Sequence, residues 1–146
     1  MDDDFEEVDS QRCVAALIPA ASSFSLDSAV AHFGGLKYGR ARLRAEKVRG
    51  GRKSASGFRV AYGDWAVAIW LNKEPLTEVD YNAMLRAKPL PVPAEVIRSC
   101  RQLLTIWGDP DPGGERGKQW AHCLGHLRAA FGALIWDYDS DDWWAA

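Results

Sequence analysis

The sequence predicts a single α+β domain: a mostly antiparallel sheet with helices packed on one face. Three observations carry this expectation. "FRVAYGDWAVAIWL" (58–71) reads as two apolar strands about a Gly63-Asp64 turn, an antiparallel hairpin. "CVAALIPA", "RQLLTIWG" and "ALIWDYD" are short apolar runs of strand length, spread along the chain. Between them lie segments with helical period and helix caps. The resulting order is β-α-β-β-β-α-β-α-β, which suits one layered domain over 11–146 behind an acidic lead-in, 1–10.

The elements follow in order. "CVAALIPA" is a buried strand. In "FSLDSAVAHFGG", Ser25 caps a helix, Leu26, Val30 and Phe33 share a face, and Gly34-Gly35 supply a left-handed stop. "GRARLRAEKV" alternates basic and apolar residues, so Arg40, Arg42 and Arg44 face one way as a strand. "RGGRKSASG" is a basic loop. In the hairpin, Phe58, Val60 and Tyr62 line one side, as do Trp65, Val67, Ile69 and Leu71. Thr77 and Asp80 have capping-box spacing for a helix over 78–87. "KPLPVPAE" ends it, and a helical turn resumes at 94–99. After the strand "RQLLTIWG" comes the turn "DPDPGG", with Pro112 suited to the first helical position. That helix runs to Phe131, and "ALIWDYD" is the last strand.

Composition narrows the function. Apolar content of 47% and charged content of 26% over 146 residues allow a folded core. No apolar run is long enough to span a bilayer. "MDDDFEEVDS" is acidic where a signal peptide is basic, which places the protein in the cytoplasm. Cys13, Cys100 and Cys123 are too scattered for a disulfide framework or a Cys-x-x-Cys zinc site. Charge is uneven: six acids lie in the first nine residues, while Lys37–Arg59 holds nine bases against Glu46 alone. Such asymmetry points to partners chosen by charge.

Candidate chemistry is thin. His122 and His126 have the four-residue spacing of a helical metal pair. The helical wheel sets them opposite Trp120, Leu124, Leu127 and Phe131, on the solvent face. No H-E-x-x-H pattern accompanies them, and His32 adds no third ligand. Asp109 and Asp111 resemble an Asp-x-Asp pair but fit turn and cap chemistry better. No metal, cofactor or catalytic residue is assigned, and the chain is not expected to be an enzyme. The segment Lys37–Arg59 leaves a second reading, a nucleic-acid-binding regulator, although the acidic ends would repel phosphate.

The C-terminal "IWDYDSDDWW" is the most distinctive stretch. Asp137, Asp139, Asp141 and Asp142 lie among Trp136, Trp143 and Trp144. Asp137 and Asp139 belong near solvent or near arginines, and Arg40–Arg44 on a neighbouring strand would serve. Trp143 and Trp144 either fold back on the core or meet a partner.

The pieces "YGDWAVAIWLNKEPLTEVDYNAML", "CRQLLTIWGDPDP" and "ALIWDYDSDDWW" resemble small bacterial immunity proteins encoded beside secreted polymorphic toxins. The resemblance spans about residues 58–144. It rests on the Gly63-Asp64-Trp65 turn, the exit from Asn72 to Pro75, Trp107, Asp109, Asp137 and Trp144. The basic segment 37–53 has no counterpart in it. The resemblance implies a protein that binds and neutralises a cognate toxin, with a nuclease fitting an acidic binding surface. It implies partner contacts at Asp64, Trp65, Asp137, Asp139, Asp141, Asp142, Trp143 and Trp144. An exposed strand edge would also permit a homodimer.

Overall fold

The computed structural model describes residues 11–50, 55–72, 74, 76–100 and 102–144. The lead-in 1–10, loop residues 51–54 and Pro75 lie outside them. Seven strands form one antiparallel sheet in the order β4-β5-β6-β7-β1-β8-β9. These are β1 (Cys13–Ile18), β4 (Arg44–Gly50), β5 (Ala55–Tyr62), β6 (Trp65–Leu71), β7 (Gln102–Gly108), β8 (Leu134–Asp137) and β9 (Asp142–Trp143). A separate small hairpin joins β2 (Lys37–Tyr38) to β3 (Ala41–Arg42). The four helices are α1 (Leu26–Gly34), α2 (Glu78–Arg86), α3 (Ala94–Ser99) and α4 (Gly117–Phe131). The α+β class stands.

The helices occupy both faces, not one. Strand alternation explains why. On β1, Val14, Ala16 and Ile18 join the main core with Phe58, Val60, Ile69, Leu104 and Ile106, beneath α1 and α4. Ala15 and Leu17 point the other way and pack with Leu134, Trp136, Met84 of α2 and Ile97 of α3. A central strand that is apolar at consecutive positions has two faces to bury. The run "VAALI" carried that signal. We call the α1/α4 side the first face and the α2/α3 side the second.

Local chemistry fixed several elements as expected. Gly63 takes φ +68° at the first turn position of the β5–β6 hairpin, where a side chain is disfavoured. The Ser25 hydroxyl accepts the Ser28 amide at 3.0 Å and caps α1. Thr77 and Asp80 form a reciprocal capping box for α2. Two termini differ from expectation. Gly35 closes α1 with a right-handed φ of −92°, so the stop is not left-handed. Helix α4 starts at Gly117, not at Pro112. The intervening turn is held by the Asp111 carboxylate, which accepts the Glu115 and Arg116 amides at 3.0 and 2.8 Å.

The histidines are corrected too. His122 and His126 do not face open solvent. Helix α1 and the β2–β3 hairpin cover that side of α4. His32 Nε2 meets His126 Nδ1 at 3.2 Å, and Tyr62 Oη meets His122 Nδ1 at 2.8 Å. Tyr38 stacks edgewise on His122. Burial, then the neighbouring histidine, lowers the pKa of both His122 and His126. Among the described residues, no group of three or more His, Cys, Asp or Glu is arranged to hold a metal ion.

Candidate functional site: an open aromatic row at an acidic rim

Cross-strand register defines the site. On the second face, Glu46, Arg59, Ala68, Trp107 and Cys13 stand side by side across β4, β5, β6, β7 and β1. Helices α2 and α3 pack on Ala15, Leu17, Leu134 and Trp136 and leave this row open. Trp107 is 41% exposed and Tyr138, just beyond β8, is 47% exposed. Large aromatics so placed offer contact area at low entropic cost.

The next row carries Val48, Gly57 and Trp70. Trp70 lies flat across two glycines. A Cβ on Gly57 would sit 2.9 Å from its ring, and one on Gly50 would sit 2.8 Å from it. The glycines therefore make a slot, and Trp70 broadens the apolar part of the face.

The acidic tail closes one end of the row. Asp137 Oδ1 accepts the Asp139 amide at 2.9 Å and shapes the turn after β8. Asp139, Asp141 and Asp142 are exposed. Asp141 adopts φ +51°, tolerated by a short polar side chain. Asp142 Oδ1 accepts the Trp143 amide at 2.8 Å. Among the described residues, none of these four carboxylates is in an ion pair. Their field reaches inward: burial first, then the charges of Asp139 and Asp137, pushes the Cys13 thiol to about 11. Burial, then Cys13 and Asp80, raises the Tyr138 hydroxyl. A thiol raised in this way favours its protonated form at neutral pH.

The expected pairing of Asp137 and Asp139 with Arg40–Arg44 does not occur. Strand β4 lies five positions from β8 in the sheet, roughly 24 Å at ordinary strand spacing. Asp64, by contrast, shares a rim with the tail. The Gly63-Asp64 turn, the end of β7, the start of β1 and the end of β8 all lie at one end of the sheet. Two arginines on this rim are already engaged. Arg116 meets the exposed Asp64 at 2.7 Å, and Arg12 meets the buried Asp111 at 2.7 Å.

Three tryptophans are packing residues, not free contacts. Trp65 is 3% exposed and its indole N–H donates to Asp109 O at 2.9 Å. It belongs to the first-face core, as its strand parity requires. Trp143 stacks edgewise on Trp136 at 5.0 Å and donates to Met84 O at 3.2 Å. Trp144 lies under Arg128, 5.0 Å from ring centroid to guanidinium. Both are half-buried because β9 pairs with β8 and folds them onto opposite faces. Trp107 and Tyr138 replace them as the exposed aromatics. The signal was parity: in "QLLTIWG", Trp107 alternates with the buried Leu104 and Ile106.

No family model, curated protein or solved structure matches this chain. Among the described residues, no helix is long and apolar enough to cross a membrane.

Proposed function

We propose that this chain is an immunity protein that neutralises a cognate bacterial toxin by stoichiometric association in the cytoplasm. The observation that carries the reading is the open row ending in Trp107, Cys13 and Tyr138 beside Asp137, Asp139, Asp141 and Asp142, which form no ion pair among the described residues. Exposed aromatics at a desolvating centre with like charges at the rim suit a protein interface. The carboxylates would speed encounter with a basic partner and reject acidic ones. A nuclease toxin presents such a basic surface, since it must hold phosphate. Inhibition then needs occlusion only, so the reading calls for no catalytic residue.

The test is direct. The C-terminal domain encoded by the neighbouring large reading frame is mixed with this protein, and the complex is weighed by light scattering. A 1:1 complex is expected, weakened about thirtyfold by Trp107→Ala or Tyr138→Ala, the size of an interface hot spot. Absence of a complex with the wild-type chain overturns the reading.

A further inference from the structure

Arg59 and Glu46 stand at the far end of that open row, but the outer edge of β4 lies beyond it, and its placement is specific. Strand β4 ends the sheet, and among the described residues no strand pairs with its outer edge. Arg44, Glu46, Lys47 and Arg49 are exposed along it. Lys47 is ion-paired with Asp27 of α1, while Arg44 and Arg49 have no ion pair among the described residues. A hollow of about 490 Å³ lies at the start of the β4–β5 pair, touching Leu43 to Glu46, Gly34 of α1, and Arg59 and Ala61 of β5. Ala45 points to the first face, and Arg44 and Glu46 to the second.

We propose that the outer edge of β4 accepts an extended acidic segment of a partner protein as an additional strand. An unpaired edge presents N–H and C=O groups at fixed spacing, a template for strand addition. Charge decides the occupant. Antiparallel self-pairing about the strand centre would set Lys47 against Lys47, and each β4 carries three bases against one acid. Like charges across a ladder repel, so the edge is guarded against a second copy. The same charges attract an acidic strand, with Arg44 on one face and Arg49 on the other to meet its carboxylates. Strand β4 of the basic segment is thereby read as a peptide-binding edge, not a nucleic-acid site. This inference rests on the edge alone and stands whether or not the tail binds a toxin.

The experiment uses the full chain, isotope-labelled, and a blocked peptide of Glu-Asp pairs separated by single valines, which as a strand carries carboxylates on both faces. The expected result is amide-shift change and slowed exchange confined to 44–50 and its immediate neighbours. Affinity should fall about tenfold in the exposed double variant Arg44→Glu/Arg49→Glu. A peptide N-methylated at alternate residues should lose binding by a similar factor, because strand addition needs its N–H groups. Equal binding of the N-methylated peptide would leave charge without strand pairing and overturn the proposal. So would perturbations that map away from β4, or no binding at about 1 mM. A single-stranded oligonucleotide of equal charge that perturbs 44–50 more tightly than the peptide would also overturn it, in favour of a nucleic-acid surface.

Discussion

Asp111 supplies the sharpest test of how the rim is built. Its carboxylate accepts from Arg12 at 2.7 Å and from the Glu115 and Arg116 amides, and its side chain is 6% exposed. It ties the start of β1 to the turn that launches α4. Asp111→Ala strands two amide donors and the Arg12 guanidinium. Breaking one partner of a buried pair costs about 3–5 kcal/mol. Arg12 keeps 30% side-chain exposure and the site lies near the surface, so water re-solvates part of what is lost. The expected cost is therefore about 2–3 kcal/mol. At this chain length that lowers Tm by roughly 6–10 °C. The exposed Asp64–Arg116 pair is the control: Asp64→Ala should cost under about 1 kcal/mol. Burial would raise the Asp111 carboxyl, but the Arg12 and amide hydrogen bonds and the Arg12 charge outweigh it and hold it below the ordinary value. A depressed carboxylate stabilises above its unfolded pKa, about 3.9, and that stability is lost as pH falls through the folded value. The gap between wild type and Asp111→Ala should be full at pH 7 and close below about pH 4. Urea melts across pH measure this. A loss at pH 7 equal to that of Asp64→Ala would refute the reasoning.

Other expectations concern the histidines, the glycines and the tail. His122 and His126 have lowered pKa values, so the unfolded chain binds more protons near pH 6. Stability should be complete above about pH 6.5 and decline as pH falls below it, and His126→Phe should flatten that slope in urea melts. Gly57→Ala should destabilise strongly, because its Cβ would lie 2.2 Å from Ile69 O. Gly125→Ala, with open space at its Cβ in mid-helix, should raise stability by about 0.5–1 kcal/mol in the same assay. Trp143→Ala should cost about 2–4 kcal/mol in a thermal melt, since the ring packs on Trp136 and Met84; a neutral change would return it to the binding surface.

What the sequence made legible was local. The β5–β6 hairpin declared itself through alternation on both sides of Gly63-Asp64, and the register confirmed each inward residue from Phe58 to Ile69. Ser25 and Thr77 declared their helices because caps act within three residues. What stayed hidden was long-range. Strand order removed Asp137 from Arg40–Arg44, and no local pattern encodes strand order. The histidines were misplaced because a helical wheel knows one core, whereas α4 also meets α1 through a residue 94 positions away. Trp143 and Trp144 looked like contacts because β9 is only two residues long, too short to show a strand pattern. Of the tail, Asp139, Asp141 and Asp142 are exposed and Asp137 is half-buried, while the exposed large aromatics beside them are Trp107 and Tyr138.

The central claim is that the acidic aromatic rim grips a toxin. Survival of cells expressing the neighbouring toxin domain tests it most directly, with wild type and with the paired variant Trp107→Ala/Tyr138→Ala as the protecting partner. Both must first show equal melting temperatures. The account predicts rescue by the wild type and loss of rescue by the variant. Full rescue by the folded variant, or no rescue by the wild type, would contradict it.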